Sequence, residues 1–409
     1  MFFDVLAFVF LGIAFGTVTG LIPGIHPNTV FVLLVSSIPV LALGVPGVLL
    51  LVFIVSVAVS NTFTDFLPSI IFGAPDPDSA LSVLPGHRLL LMGRGYEAVA
   101  LTVLGGICAS SLILLTLPVL VYLIPFVYSS ISPFLHFLLI SVVLWMILAE
   151  RGRKKAAAFF VFLAAGLFGL VTLNAYPQNQ LLFPSLTGLF ALSTLVTSLW
   201  SGCVLPKQDT GPEMHGDFRK GVLTGWLAGW LAGMLPGVGA AQAGAIAAQR
   251  LKASTEDFLT ALGGINTSNI LFTLLMFYSI GKTRSGAMWA ISQIAPSVSL
   301  WGMAVLVMAG VTVSFASGAI TLMLGRFLLS RAMRIDYRKM TLTVISLLII
   351  LIVLLSGPLG VLSAFTGLFI GLLSISSGVR RSHMMGYLLL PTIVYFSGVS
   401  PSVSLALGI

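Results

Sequence analysis

The stretch GLIPGIHPN, residues 20–28, places two prolines and two glycines inside the first long apolar segment of the chain. A second stretch, GMLPGVGAAQ at residues 233–242, repeats the Pro-Gly pair 213 positions later. Proline removes a backbone N–H and ends or kinks a helix, and glycine lets the chain turn sharply. The two stretches therefore predict two helices that are broken in the same way.

The composition predicts the fold class. Hydrophobic residues make up 58% of the chain and charged residues only 8%, against roughly 25% charged residues in a soluble domain. Apolar runs of about 20 residues, enough to cross a bilayer, recur from end to end, among them Ala98–Pro125 and Phe126–Ala149. We predict an all-α polytopic protein of the cell membrane with about 10–13 spans.

Short basic loops explain the net charge of +8, so no nucleic-acid partner is expected. They include RGRKK (151–155), GKTR (281–284) and RAMRIDYRK (331–339). By the positive-inside rule, all of them are expected to face the cytoplasm. The two cysteines lie in apolar segments, which favours neither a disulfide framework nor a metal site. No metal, and no cofactor other than a coupling ion, is predicted.

The order of features recurs along the chain and predicts two internal repeats with Gly/Pro-broken helices. In each half a polar span follows the break, SNTFTDF (60–66) and NTSNILFT (266–273), and a TGLF motif lies near the end. The predicted boundaries are a first repeat at 1–205, a cytoplasmic linker at 206–219, a second repeat at 220–383 and an extra span at 384–409. Parallel and inverted repeats both fit, because each break can separate two full spans or two half-helices.

The broken helices predict a substrate site. Within a bilayer, freed backbone groups cost several kcal/mol unless the break is buried in protein or lines a cavity. A helix that restarts there points its N–H groups at an anion, and paired Gly/Pro interruptions mark transporter binding sites. The alternative is a packing kink. The predicted substrate-binding residues are Gly20, Pro23, Gly24, His26, Asn28, Gly233, Pro236, Gly237 and Gln242, with Arg88 at the cavity mouth.

The polar spans predict an ion site. On a helix, Ser60, Asn61, Thr64 and Asp65 fall within an arc of about 140°, and Asn266, Asn269 and Thr273 within about 60°. Asp65 is an intramembrane carboxylate, and such groups typically mark ion or proton paths; a structural aspartate is the alternative. The predicted ion-coupling residues are Asn61, Thr64, Asp65, Asn266 and Asn269, with Na⁺ or H⁺ as the ion.

Together these motifs resemble the TctA family, the large membrane subunit of the tripartite tricarboxylate transporters. The resemblance rests on the two Pro-Gly stretches and on GAPDPDSALSVLPGHRLLLMGRGYEAVAL, residues 73–101. The chain has SNTFTDFLPS (60–69) where the family tends to have a YGGS stretch. It has GGINTSNI (263–270), with no acid, where the family tends to carry a glutamate before an Asn-rich patch. The chain therefore resembles a divergent member.

The resemblance implies a secondary transporter, driven by a cation gradient, for a small organic anion such as a tri- or dicarboxylate. It also implies a small membrane subunit and an extracytoplasmic binding protein as partners. Two other classes stay open from the residues alone. One is a channel or scaffold subunit. The other is a polytopic membrane enzyme, an intramembrane hydrolase or a lipid-modifying protein, although no convincing catalytic pair is present and no catalytic residue is predicted.

Overall fold

A computed structural model describes most of the chain: residues 2–22, 31, 45–72, 83–175, 178–201, 206–211, 218–234, 239–240, 243–244, 246–247, 254–332 and 337–400. These residues form helices joined by short connections, and no strand occurs among them. The predicted all-α class is confirmed.

Long apolar sequences with few charges form the helices of the first half. These are α1 (Phe2–Leu21), α2 (Gly47–Thr64), α3 (Val83–Leu91), α4 (Gly95–Ile131), α5 (Leu135–Leu148), α6 (Lys154–Ala175), α7 (Gln178–Leu186) and α8 (Ser193–Ser201). Two wider π-helical turns interrupt the regular pattern, at Pro68–Phe72 and Thr187–Leu192, and a short 3-10 turn lies at Ser132–Phe134.

The second half contains α9 (Arg219–Met234), α10 (Thr255–Ile280), α11 (Gly286–Ile294), α12 (Leu300–Ala332), α13 (Tyr337–Ser376) and α14 (Gly386–Phe396). A 3-10 turn at Arg381–Met385 precedes α14. In the described part of the chain, seven helical segments are long and apolar enough to cross a membrane. A multi-pass protein is confirmed, while the total of 10–13 spans stays a prediction.

Prolines do not divide α4, contrary to the boundary that the sequence suggested at Pro125. The helix runs for 37 residues and contains both Pro118 and Pro125. Membrane helices tolerate proline where neighbouring groups satisfy the freed backbone carbonyls. The bend in α13 is different, because Gly357 adopts φ 61° directly before Pro358. Only glycine adopts that backbone conformation readily.

Two pairs of neighbouring helices pack through glycines spaced four residues apart. A Cβ atom on the α1 glycines would meet the carbonyl oxygens of α2, and one on the α9 glycines those of α10. The pairs are Gly12 with Phe53, Gly16 with Val57 and Gly20 with Asn61, and then Gly225 with Ala261, Gly229 with Ile265 and Gly233 with Asn269. Residue numbers rise together in both sets, so each pair of helices is parallel.

Ion pairs and hydrogen bonds fix the direction of α4 relative to α10. Arg94, just before α4, lies 2.8 Å from Glu256 in the first turn of α10. Near the other end of α4, Tyr128 accepts a 3.1 Å hydrogen bond from Lys282, which follows α10. The two helices are therefore parallel. The backbone N–H of Asp209 donates a 2.8 Å hydrogen bond to the Gly93 carbonyl, so residues 206–211 lie at the Arg94 end, which we call the linker end.

The second helix runs the other way. At the start of α2, a Cβ atom on Gly47 would lie 3.5 Å from Ile294, at the end of α11. Past the end of α2, Leu67 packs against Gly325, which also contacts Val99 near the start of α4. Hence α2 runs towards the linker end and α10 away from it. The leading helix pairs of the two halves, α1 with α2 and α9 with α10, point in opposite directions.

This geometry corrects one expectation about the basic loops. The 26 residues of α10 span about 39 Å at 1.5 Å per residue. Arg94 lies at the beginning of this helix, and Lys282 and Arg284 lie beyond its end. If α10 crosses the bilayer, the GKTR loop cannot share a side with the loop at Arg94. The expectation that all basic loops face the cytoplasm therefore cannot hold for both the Arg94 loop and the GKTR loop.

Candidate functional site

The end of α2 is irregular at the predicted ion site. Asp65 closes the helix, with its N–H bonded to the Asn61 carbonyl at 3.0 Å, and the π-helical turn begins at Pro68. Proline has no N–H to donate to the carbonyl four residues earlier, which explains why the regular pattern stops here. Wide turns of this kind often mark functional sites.

Asp65 and Asn266 meet across two antiparallel helices. The Asn266 side-chain amide donates a 2.8 Å hydrogen bond to the Asp65 carboxylate. Both residues are only 2% exposed. Asn266 lies near the middle of α10, a helix long enough to span the membrane. The carboxylate therefore lies level with the middle of this helix.

Two threonines that the sequence analysis did not select complete this contact. The hydroxyls of Thr62 and Thr267 are 3.1 Å apart, and the Asn266 amide also donates to the Thr62 carbonyl at 3.4 Å. The sequence feature that could have identified them is the Asn-Thr dipeptide that occurs in both polar spans, at 61–62 and 266–267. We name Thr62, Asp65, Asn266 and Thr267 the central polar cluster.

The other predicted ion-coupling residues face neighbouring helices. Asn61 donates a 3.3 Å hydrogen bond to Thr19 on α1, and the Thr64 hydroxyl lies 3.4 Å from the Gly16 carbonyl. Asn269 is half-buried, and its carbonyl faces Gly233 on α9. Of the five predicted residues, only Asp65 and Asn266 are joined across different helices by a hydrogen bond between their side chains.

The predicted substrate-binding residues are only partly within the described chain. Pro23, Gly24, His26, Asn28, Pro236, Gly237 and Gln242 lie outside the described residues. Gly20 and Gly233 are described, and both contact a neighbouring helix. A Cβ atom on Gly20 would lie 2.2 Å from the Thr64 hydroxyl oxygen, and one on Gly233 would lie 2.5 Å from the Phe272 side chain. Their contribution to a substrate site stays a prediction.

Arg88 lies at the linker end, on the short helix α3. Gly86 packs against Ile70 of the π-helical turn. This contact places α3 next to the turn that follows α2. Burial lowers the pKa of neighbouring His87, partly offset by its hydrogen bond to the Ile70 backbone. Arg88 itself is exposed.

An open cavity of about 630 Å³ adjoins Arg88. Its lining joins α3 to the first turns of α10 and consists of Pro85, His87, Arg88, Leu91, Met92, Thr255 and Phe258. Arg88 therefore borders an open cavity, and its role in substrate binding stays a prediction. Neither Asp65 nor Asn266 is among the lining residues, so the described structure keeps the mouth and the central polar cluster apart.

Comparisons with known proteins cover nearly the whole chain. The model of the Tripartite tricarboxylate transporter TctA family matches residues 6–386. An uncharacterized protein of Methanocaldococcus jannaschii is 29% identical over 403 residues, which cover 96% of this chain and 98% of that protein. No solved structure matches.

Proposed function

Because the chain belongs to the TctA family of tripartite tricarboxylate transporters, we propose that it is the permease subunit of a secondary active transporter in the cell membrane. The family is one of transporters, so the chain is not an enzyme. The proposed substrate is a small organic anion, a tri- or dicarboxylate. The proposed driving force is a gradient of Na⁺ or H⁺.

The central polar cluster is the observation that supports ion coupling. It places one carboxylate, two hydroxyls and a backbone carbonyl between helices of opposite direction. A buried intramembrane acid is costly and typically belongs to an ion or proton pathway. Because the cluster joins the two halves, an ion bound there would favour one relative position of the halves over another. A ligand shifts such an equilibrium only through different affinities for the two states.

Both candidate ions suit these groups. Hard cations prefer oxygen ligands such as carboxylates and carbonyls, and the Asp65 carboxylate and Thr62 carbonyl supply both. A proton would instead neutralise Asp65 and change it from an acceptor into a donor. We therefore propose Asp65 as the group that binds the coupling ion, whichever ion it is.

Partner proteins form a further part of the proposal. The family is named for tripartite transporters, which include a small membrane subunit and a binding protein. We propose that this chain works with an extracytoplasmic protein that delivers the anion, and with a small membrane subunit. Uptake by the purified chain alone therefore needs to be compared with uptake in the presence of candidate partners.

The first prediction concerns Asp65→Asn, reconstituted in liposomes, with the uptake of labelled citrate from the external medium as the measurement. We expect wild-type protein to accumulate citrate under an inward Na⁺ or H⁺ gradient. The variant retains an oxygen acceptor for Asn266 but loses the charge that binds the ion. Typical coupling free energies of about 1–3 kcal/mol predict a fall in gradient-driven accumulation on the order of tenfold. Separate Na⁺ and pH gradients identify the ion.

Asp209→Asn is the matched control, because this carboxylate is exposed and accepts a 2.8 Å hydrogen bond from the Gly211 N–H. It should keep wild-type accumulation. An unchanged Na⁺ and pH profile in Asp65→Asn would return Asp65 to a structural role. Citrate flux that only follows its own gradient, without accumulation, would favour a channel.

A further inference from the structure

The GKTR loop is an exception to the charge distribution of the molecule. Most of the described basic residues whose position along the bundle is fixed lie at the linker end. They include Arg94, Lys207, Arg219, Lys220, Arg326, Arg331, Arg338 and Lys339. The positive-inside rule therefore places the linker end in the cytoplasm. Lys282 and Arg284 then lie on the outer side, where they cannot serve to orient the chain.

Arg284 is held in an unusual environment on that side. Its guanidinium carbon lies 5.0 Å from the centre of the Tyr128 ring. Two of its nitrogens, Nε and Nη1, are buried and find no hydrogen-bond acceptor within the described residues. Burial lowers the pKa of Arg284, although the charge interaction and a side-chain hydrogen bond with Tyr128 partly offset this effect, so only part of the guanidinium is without an acceptor. A buried charged donor without an acceptor is unfavourable, so an anionic ligand would relieve a cost that the folded chain carries.

Tyr128 also positions the second cation of this loop. The Lys282 ammonium donates a 3.1 Å hydrogen bond to the Tyr128 hydroxyl and is exposed to solvent. The exposed Lys282 ammonium can attract an anion over a long range, and the half-buried Arg284 guanidinium can then contact it directly. Arginine suits the second step, because its planar fork matches a carboxylate in a bidentate geometry.

A polar face connects this loop to the central polar cluster. Asn266, Asn269 and Thr273 lie along one side of α10 in the direction of the outer end. The Thr273 hydroxyl lies 3.5 Å from the hydroxyl of Ser285, the residue after Arg284. Ser285 also caps the start of α11 by accepting from the Met288 N–H at 3.3 Å. Arg284 therefore stands at the outer end of a polar row that begins at Asn266.

We propose that Arg284 binds a carboxylate group of the transported anion at the extracytoplasmic entrance, with Lys282 attracting the anion and Tyr128 positioning both cations. This inference rests on the proposed transport function. It assigns to the outer side an anion contact that complements Arg88 at the linker end.

The test combines equilibrium binding of labelled citrate to purified protein with uptake into oriented liposomes. Charge-assisted hydrogen bonds of the usual strength predict that Arg284→Gln weakens binding and raises the KM for external citrate by about 10- to 100-fold. Arg284→Lys should rescue only part of this loss, because it keeps the charge without the fork. Lys339→Gln, an exposed residue at the linker end, should leave both values unchanged.

The outcomes separate the two proposals. Normal citrate accumulation with an unchanged KM in Arg284→Gln would overturn the role of Arg284 while transport stands. Citrate binding that depends on Arg284, without accumulation by the wild type even when the candidate partner proteins are present, would support the site and overturn the transport function. A wild type that neither binds nor accumulates citrate would overturn both for tricarboxylates. Unchanged melting temperatures across the variants exclude misfolding as the cause.

Discussion

At the scale of single residues, glycines set how closely the long helices approach each other. A Cβ atom on Gly105 of α4 would lie 1.9 Å from the Thr260 carbonyl oxygen, and one on Gly263 of α10 would lie 2.0 Å from that of Thr102. The contact is reciprocal, with each helix presenting a glycine to the backbone of the other. Small residues of this kind are typical of helix contacts in membranes, because they let backbones pack closely.

Gly105→Ala is therefore expected to destabilise the fold. The added methyl group cannot be accommodated by a side-chain movement, because its neighbour is backbone, so the helices must separate. Overpacking typically costs about 1–3 kcal/mol, measurable as a lower melting temperature in detergent. Gly47→Ala is the control, since its nearest neighbour would be the Ile294 side chain at 3.5 Å. Equal melting temperatures for the two variants would show that α4 and α10 separate at little cost.

At the scale of elements, the Glu150 carboxylate links the connection after α5 to the connection before α14. Glu150, after α5, lies 3.1 Å from Nε2 of His383 in the turn before α14. It also accepts from the Arg380 N–H at 3.3 Å, and Lys154 donates to the Gly378 carbonyl at 2.9 Å. His383 is fully buried. Burial lowers the pKa of His383, an effect that the hydrogen bond to Glu150 partly offsets.

This contact predicts a loss of stability in mild acid. His383 stays neutral in the folded protein, while in the unfolded chain it binds a proton near pH 6.5. Because the unfolded state then holds more protons, the free energy of unfolding falls as the pH drops below about 6.5. His383→Gln should reduce the fall in melting temperature between about pH 7.5 and 5.5. His136→Gln, on half-buried His136, should not. An identical pH profile for His383→Gln and the wild type would contradict this origin of the effect.

The elements also show what the sequence can predict. The apolar runs identified the helical membrane class, and the polar spans identified Asp65 and Asn266 because each interrupts an apolar face. Periodicity describes one helix at a time, so it could not show that these residues face each other or that Asn61 faces α1. Pro125 was misleading for a related reason, since proline ends a helix only where neighbouring groups do not satisfy the freed carbonyl.

At the scale of the whole molecule, direction is the feature that the sequence left open. The contacts that α1 makes with α2 through glycines spaced four residues apart recur between α9 and α10. The two pairs run in opposite directions relative to the linker end. The internal repeats stay a prediction, and this geometry supports an inverted pair rather than a parallel one. Many secondary transporters use inverted repeats, with the substrate site between the halves near the middle of the membrane.

The opposite directions of α10 and α12 predict opposite labelling of two exposed lysines in the second half. In a background with Cys108→Ser and Cys203→Ser, single variants Lys282→Cys and Lys339→Cys are treated with a membrane-impermeant maleimide on intact cells. Lys282→Cys is expected to react from outside, and Lys339→Cys only after the membrane is permeabilised. The reason is that α12 returns the chain to the linker end before Lys339, whereas Lys282 follows the outer end of α10. Labelling of both positions from one side would contradict the opposite directions of α10 and α12, and with them the outer position of Arg284. Labelling from opposite sides would place the GKTR loop on the other side of the membrane from the linker end and its Arg94 loop, as the parallel directions of α4 and α10 require.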